Sequence, residues 1–137
     1  MQESNMWWLA MACPKMDAEP WRMDVKEQQV LFAAAEEYWM GVRWGELGRA
    51  SQYIEDPLER ARFLNSYIPG QYIDIKVLHA NLEPLTEDFE ITPDTKIWRT
   101  GTIYVQIEQV VNGHKLENTE EQQEWYRTST GWYIETE

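Results

Sequence analysis

The sequence predicts an α+β protein in which N-terminal helices pack on a strongly curved antiparallel sheet, a cone-shaped α+β roll. Three observations lead there. Apolar residues recur at spacings of three and four from Leu31 to Val42, the period of a one-sided helix. From Tyr72 onward the pattern changes to alternation with period two, the period of a half-buried strand. An Asn112-Gly113 pair then separates two long segments of that second kind, and these two residues tolerate the positive φ that a type I′ hairpin turn demands.

In the first half, Asp24 and Glu27 stand three residues apart ahead of the periodic stretch, an arrangement that can satisfy orphan amides at a helix start. A helix is expected to begin near Val25 and to carry Leu31, Ala34, Ala35, Tyr38 and Val42 on one stripe, widened by Trp39. At about 18 residues it would be roughly 27 Å long. Gly45 interrupts it, and Leu47, Ala50, Ser51 and Ile54 mark a shorter second helix after a corner. Asp56-Pro57-Leu58-Glu59 starts a third. It combines a cap residue, a proline where the missing N–H costs nothing, and an acid at the positive end of the helix dipole. Pro69-Gly70 ends that helix by about Ser66.

In the second half, Ile73, Ile75 and Val77 share one strand face, but Leu78, Ala80 and Leu82 then share the other. With a period of two, such a phase flip requires a bulge or sharp bend near Val77-Leu78. Residues 83–93 hold two prolines and four acids and read as an exposed connection. Ile103, Val105 and Ile107 alternate with Tyr104, Gln106 and Glu108, and Gly101 is expected to kink that strand. The return from His114 to Thr128 is mostly polar until Trp125, which suggests a wet face or a lining that accepts water. Ser129-Thr130-Gly131 turns the chain once more into a short strand bearing Trp132 and Ile134.

A chain of 137 residues is the size of one domain. Apolar residues at 43% and charged residues at 26% fit a globular protein, while eight Trp and seven Tyr are unusual. The net charge of −12 is uneven: residues 71–137 hold 13 acids and 5 bases, residues 24–70 hold 8 and 5. So acidic a sheet half would repel a phosphate backbone or an anionic membrane, which argues against nucleic-acid binding. The charge reads either as a solvated surface or as a dock for a basic partner. The two histidines, His79 and His114, have no acid at helical or strand spacing, so no metal or other cofactor is expected.

Residues 1–23 read as an arm ahead of a domain at 24–137. The single Cys13 excludes an internal disulfide, and it follows Leu9-Ala10-Met11-Ala12. Small residues before a cysteine resemble a bacterial lipoprotein leader. The apolar run from Met6 to Ala12 is only seven residues and no base precedes it, so an ordinary thiol in the arm is the competing reading. The location is left open by the sequence, between the cytoplasm and, if Cys13 is a lipidation site, the periplasmic side of the bacterial envelope. No stretch approaches the roughly 20 apolar residues of a membrane span.

Several segments resemble the NTF2-like (nuclear transport factor 2-like, SnoaL-like) superfamily of cystatin-type cones over about residues 24–137. They are Ala35-Glu36-Glu37-Tyr38-Trp39 with Trp44-Gly45-Glu46-Leu47, then Tyr53-Ile54-Glu55-Asp56-Pro57, and the closing Glu124-Trp125-Tyr126-Arg127 with Gly131-Trp132-Tyr133-Ile134. Among its branches, small bacterial envelope proteins and lipoproteins are nearest. The resemblance implies a pocket at the wide end of the cone. In the family's ketosteroid-isomerase-like and polyketide-cyclase-like enzymes, that pocket sets an acid or histidine against a tyrosine to move a proton beside a carbonyl.

For such chemistry Tyr38, Tyr53 and Tyr104 are the candidate donors, and His79, Glu108 and Glu124 the candidate bases. No position matches a catalytic motif of those enzymes. The pocket lining would include Tyr38, Trp39, Tyr53, Tyr104, Trp125 and Trp132. Trp7, Trp8, Trp21 and Trp98 are surplus to the expected core and suit a protein interface, since tryptophan is enriched in interface hot spots. The expected function is a non-catalytic binding or scaffold subunit with a protein partner or a second copy of itself. The alternative is a small-molecule pocket protein or enzyme of the isomerase or cyclase type.

Overall fold

The computed structural model describes residues 20–85 and 92–136, with side chains from Asp24 onward. The expectations for Trp7, Trp8 and Cys13, and for the side chain of Trp21, lie outside the described residues. Among the described residues three helices come first: α1 (Pro20–Trp44), α2 (Leu47–Ser51) and α3 (Pro57–Ser66). Four described strands follow, β1 (Tyr72–Leu82), β2 (Arg99–Val111), β3 (Lys115–Thr128) and β4 (Gly131–Ile134). They form one antiparallel sheet in the order β1-β2-β3-β4, open rather than closed into a barrel.

The first helix starts at Pro20 rather than near Val25. Its stripe is as the spacing requires, with Leu31, Ala35, Tyr38, Trp39 and Val42 buried. Asp24 therefore lies inside the helix and serves the tertiary structure instead of a cap. Its carboxylate takes Arg99 in a two-pronged pair, Nη1 at 2.8 Å and Nη2 at 3.3 Å, fastening the helix to the start of β2. Hydrogen bonding to the Arg99 guanidinium holds the Asp24 carboxyl below its ordinary value of 3.8. A carboxyl depressed on folding stabilises the protein above its unfolded pKa, and that contribution is lost as pH falls below about 4. Asp24→Asn should thus lower the urea midpoint at pH 7, with the gap to the wild type closing as pH drops from about 4 toward 2. A gap that stays constant with pH would show that the pair makes no ionic contribution.

Gly45, at φ +75°, ends α1 and turns the chain into α2. In α3 the Asp56 side chain accepts from the Leu58 N–H at 3.1 Å and Pro57 opens the first turn, as the local sequence predicts.

The phase flip in β1 is resolved by a register shift between Val77 and His79, with Leu78 as the extra residue. A second shift, between Tyr72 and Asp74, makes Ile73 extra as well. These two bulges let Ile75, Val77, Ala80 and Leu82 all face the helices, opposite Ile107, Val105, Ile103 and Gly101 of β2. At the hairpin, Asn112 (φ 56°) and Gly113 (φ 83°) both adopt positive φ, but Val111 pairs with Lys115, so the loop is the three residues Asn112, Gly113 and His114 rather than the two of a type I′ turn.

The helix α1 packs mainly on β1, with a smaller contact to β2. That placement accounts for the polar character of β3. Only Trp125 and Thr128 of this strand are buried, while Glu117 and Thr119, paired with Gln109 and Ile107, are half-buried and Glu121, paired with Val105, is exposed. There Tyr72 titrates above the ordinary tyrosine value of 10.0, through burial first and the nearby Glu121 carboxylate second.

Candidate functional site

A recess near the predicted site residues lies between α1 and the turn joining β3 to β4. It is an open groove of about 570 Å³ lined by Val30, Ala33, Ala34, Glu37, Tyr53, Arg127, Ser129, Thr130, Gly131 and Trp132. Each wall follows from a local feature. Val30, Ala33 and Ala34 fall on the side of α1 that flanks the buried stripe. Tyr53 ends the corner after α2, where its carbonyl accepts the Ile134 N–H at 2.8 Å. The Ser129-Thr130-Gly131 turn is fixed by the Thr128 hydroxyl, which accepts the Thr130 N–H at 3.2 Å.

The charged residues of the groove, Glu37 and Arg127, are each bonded within the protein, though not to each other. Glu27 Oε1 accepts both Arg127 Nε at 2.7 Å and Trp132 Nε1 at 2.9 Å. Arg127 also donates to the Thr128 carbonyl and sets its guanidinium 5.2 Å from the centre of the Trp98 ring. Glu37 accepts the Tyr53 hydroxyl, and Arg49 Nε approaches the same carboxylate at 3.4 Å. Burial, followed by the bond to Glu37, pushes the Tyr53 hydroxyl above its ordinary range. With its proton held by Glu37, Tyr53 donates within the protein. The groove therefore presents a small apolar floor under a rim in which Glu37, Tyr53, Arg127 and Trp132 are each hydrogen-bonded within the protein.

Beneath it, the predicted lining residues Tyr38, Trp39 and Trp125 are core. The Tyr38 ring meets Trp39 edge-on at 5.0 Å and Trp125 edge-on at 6.1 Å, and Tyr53 lies 5.7 Å from Trp125. Burial raises the Tyr38 hydroxyl above the ordinary range. Gln123 Oε1 serves the two buried indoles together, accepting Trp39 Nε1 at 3.2 Å and Trp125 Nε1 at 2.8 Å.

The candidate base His79 and candidate donor Tyr104 are brought together, but on the opposite face of the sheet. They are register partners on β1 and β2 whose rings stack at 4.3 Å with 22° between planes. Glu124 is on that face too, where both its oxygens accept from the Thr102 hydroxyl, at 3.1 and 3.2 Å. Glu108 is half-buried between Ile107 and Gln109, on the same side of β2 as Tyr104. Of the predicted site residues, only Tyr53 and Trp132 line the groove, and no predicted base faces a predicted donor across an enclosed space.

Reasoning from sequence missed Glu27, Glu37 and Gln123. Glu27 looks like a capping residue and Glu37 like a solvated helix charge, because their partners lie 100 and 16 positions away in the chain. Among the described residues no group of three or more His, Cys, Asp or Glu could hold a metal ion, and no helix is long and apolar enough to cross a membrane. Comparison with protein families, with curated proteins and with solved structures finds no match to this chain.

Proposed function

We propose that this chain is a non-catalytic binding or scaffold subunit of the NTF2-like type, a cone-shaped α+β roll that works in a protein assembly or homo-oligomer. The observation that carries the reading is the filling of the helix–sheet interior by Tyr38, Trp39, Trp125 and Trp132, all buried. A pocket enzyme of the isomerase or cyclase type needs that space for substrate, with a base and a donor facing it. Here the rings occupy it, and His79, Tyr104 and Glu124 lie on the other side of the sheet. The bulges at Ile73 and Leu78 support a curved sheet, since bulges bend a strand and increase its twist. Among the described tryptophans, Trp39, Trp125 and Trp132 are packed in the interior, Trp98 is half-buried beside Arg127 and Trp44 is exposed.

The reading is tested by thermal unfolding of the whole chain against apolar cyclic ketones and aromatic carbonyl compounds at up to about 1 mM. A site with a Kd of about 10 μM would add about 2.7 kcal/mol at that concentration, a shift of several degrees. No saturable shift is expected. A saturable shift removed by Ala34→Trp or Trp39→Ala would replace the scaffold reading with that of a ligand-binding pocket.

A further inference from the structure

The sheet leaves one long stretch of backbone without a neighbour among the described residues. β3 runs from Lys115 to Thr128, yet β4 pairs only with residues 125–128 of it. In an antiparallel ladder a residue turns its N–H and C=O to the same side, and its neighbours in sequence turn theirs to the other. The Arg127 carbonyl accepts the Trp98 N–H at 2.7 Å, so it points toward the β2 side, and the Glu124 carbonyl accepts the Glu135 N–H at 2.9 Å on the β4 side. The β2–β3 register is unbroken from Lys115 to Arg127. Leu116, Asn118, Glu120 and Gln122 therefore turn their N–H and C=O groups the way Glu124 does, toward the side with no described strand, and all four residues are exposed. This free edge is about 30 Å long. Midway along it, Thr119 holds the one buried side-chain oxygen without a hydrogen-bond partner among the described residues.

Charge separates this edge from the others. Residues 115–124 hold Glu117, Glu120, Glu121 and Glu124 against Lys115, a net of −3. The outer edge of β1 holds Asp74 against Lys76, a net of zero; Asp74 is paired with Arg43 at 3.1 Å, and bulges at Ile73 and Leu78 break the line of the strand. The outer edge of β4 is four residues without a charge. A regular strand edge invites another strand, and charges along it decide which strands are refused. Pairing with the same edge of a second copy would set Glu117, Glu120, Glu121 and Glu124 beside the same four residues, and like charges on adjacent strands are destabilising. A basic strand reverses that sign and is also drawn in by the −12 of the whole chain.

We propose that the β3 edge takes up an extended, basic segment of a partner protein as an added strand. Backbone pairing to Leu116, Asn118, Glu120 and Gln122 supplies the affinity, and the glutamates select the sequence. Glu117 and Glu121, opposite Gln109 and Val105 of β2, stand on the helix side of the sheet, and Glu120 and Glu124 stand on the other. Their spacing is the same read in either direction, so basic residues at the first, fourth, fifth and eighth positions of the segment meet all four glutamates, two on each side of the sheet. The inference rests on the reading of the chain as a binding subunit and names the chemistry of its partner.

The test is fluorescence anisotropy of a labelled peptide with lysine at those four positions and valine or threonine between them. It is titrated with the full chain to about 500 μM, in about 0.02 and 0.3 M NaCl. Saturable binding that weakens with salt is expected. Methylating the peptide nitrogens of one alternate set should abolish it and methylating the other set should spare it, because only every second residue turns its N–H to a given neighbour. Glu120→Lys and Glu121→Lys should each weaken binding by at least about 10-fold, since each replaces an attractive cross-strand pair with a repulsive one. Glu36→Lys, the same change at an exposed site on α1, should leave it within about 3-fold. Gln122→Pro removes an edge donor that the described fold does not use, and should abolish binding without altering the far-UV circular dichroism.

The proposal is overturned by the absence of saturable binding, by two methylated sets that behave alike, by equal binding when the four lysines are gathered at one end of the peptide, or by Glu120→Lys and Glu121→Lys variants that bind as the wild type does. A chain that binds neither this peptide nor the carbonyl ligands would overturn the edge site and leave the binding-subunit reading with another surface, whereas saturable ligand binding would remove that reading itself.

Discussion

Replacing Trp125 with alanine should lower the free energy of unfolding by about 3–5 kcal/mol, the cost of emptying a buried tryptophan site. Trp125 is 0% exposed and is the largest fully buried side chain among the described residues. It stands opposite Gly101 on β2 and Ile134 on β4, and its ring is flanked by Tyr38 and Tyr53. Its indole N–H is one of two that share Gln123, so alanine also loosens the hydrogen bond that orients Trp39. A domain of this size has only about 5–15 kcal/mol in total. In a urea titration the midpoint should fall steeply while the slope stays near that of the wild type. The variant should also bind a small apolar probe such as benzene, which a dry cavity accepts, whereas the filled wild-type interior should not. A loss below about 1 kcal/mol would mean that the site collapses on itself or that the aromatic array is peripheral to stability.

Where the determinants were local, the sequence was sufficient. The Asp56-Pro57 start of α3 and the turning of the chain at Asn112-Gly113 each need only a few consecutive residues; the cap forms as its chemistry requires, and the turn takes the positive φ expected of both residues, though His114 joins it to make a three-residue loop. The bulge at Leu78 was legible for a different reason, since a period-two pattern that changes phase has no unbulged solution in a sheet with one buried face. The bulge at Ile73 was not, because Ile73 fits the alternation with Ile75 and only the pairing of Tyr72 with Gln109 reveals it as extra. Asp24 and Glu27 misled in a consistent way. Both are good residues for a helix start, but Arg99 and Arg127 lie 75 and 100 positions away and take them into helix–sheet contacts. The candidate site failed in the same manner. A strand pattern says that Tyr104 opposes Ile103, but not which side the helices will cover. It is the helical cover that sends Tyr104 and His79 outward and makes Tyr38 and Trp125 core.

The same limit governs Gly101, which from sequence alone is expected to kink β2. In the fold it sits inside a continuous strand, paired with Leu82 on one side and Trp125 on the other. What it supplies is room. A Cβ at this position would lie 2.7 Å from Leu31 Cδ2, 3.1 Å from the Asn81 carbonyl oxygen and 3.4 Å from Leu82 Cδ2. Leu31 is fully buried, so its methyl has little freedom to withdraw, and the Asn81 oxygen belongs to the backbone of the neighbouring strand. Strand propensity alone predicts that Gly101→Val stabilises the sheet, by up to about 1 kcal/mol. Overpacking predicts the reverse sign, with a cost of about 1–3 kcal/mol for forcing extra carbon into a filled core. Packing should win, because β1, β2 and α1 converge at this residue. The combination Gly101→Val with Leu31→Ala separates the causes, since removing the clashing methyl should make the double variant more stable than the sum of the two single losses. Equal unfolding midpoints for the wild type and Gly101→Val would mean that α1 can draw back from the sheet at Leu31, and that the close helix–sheet approach is not needed for stability.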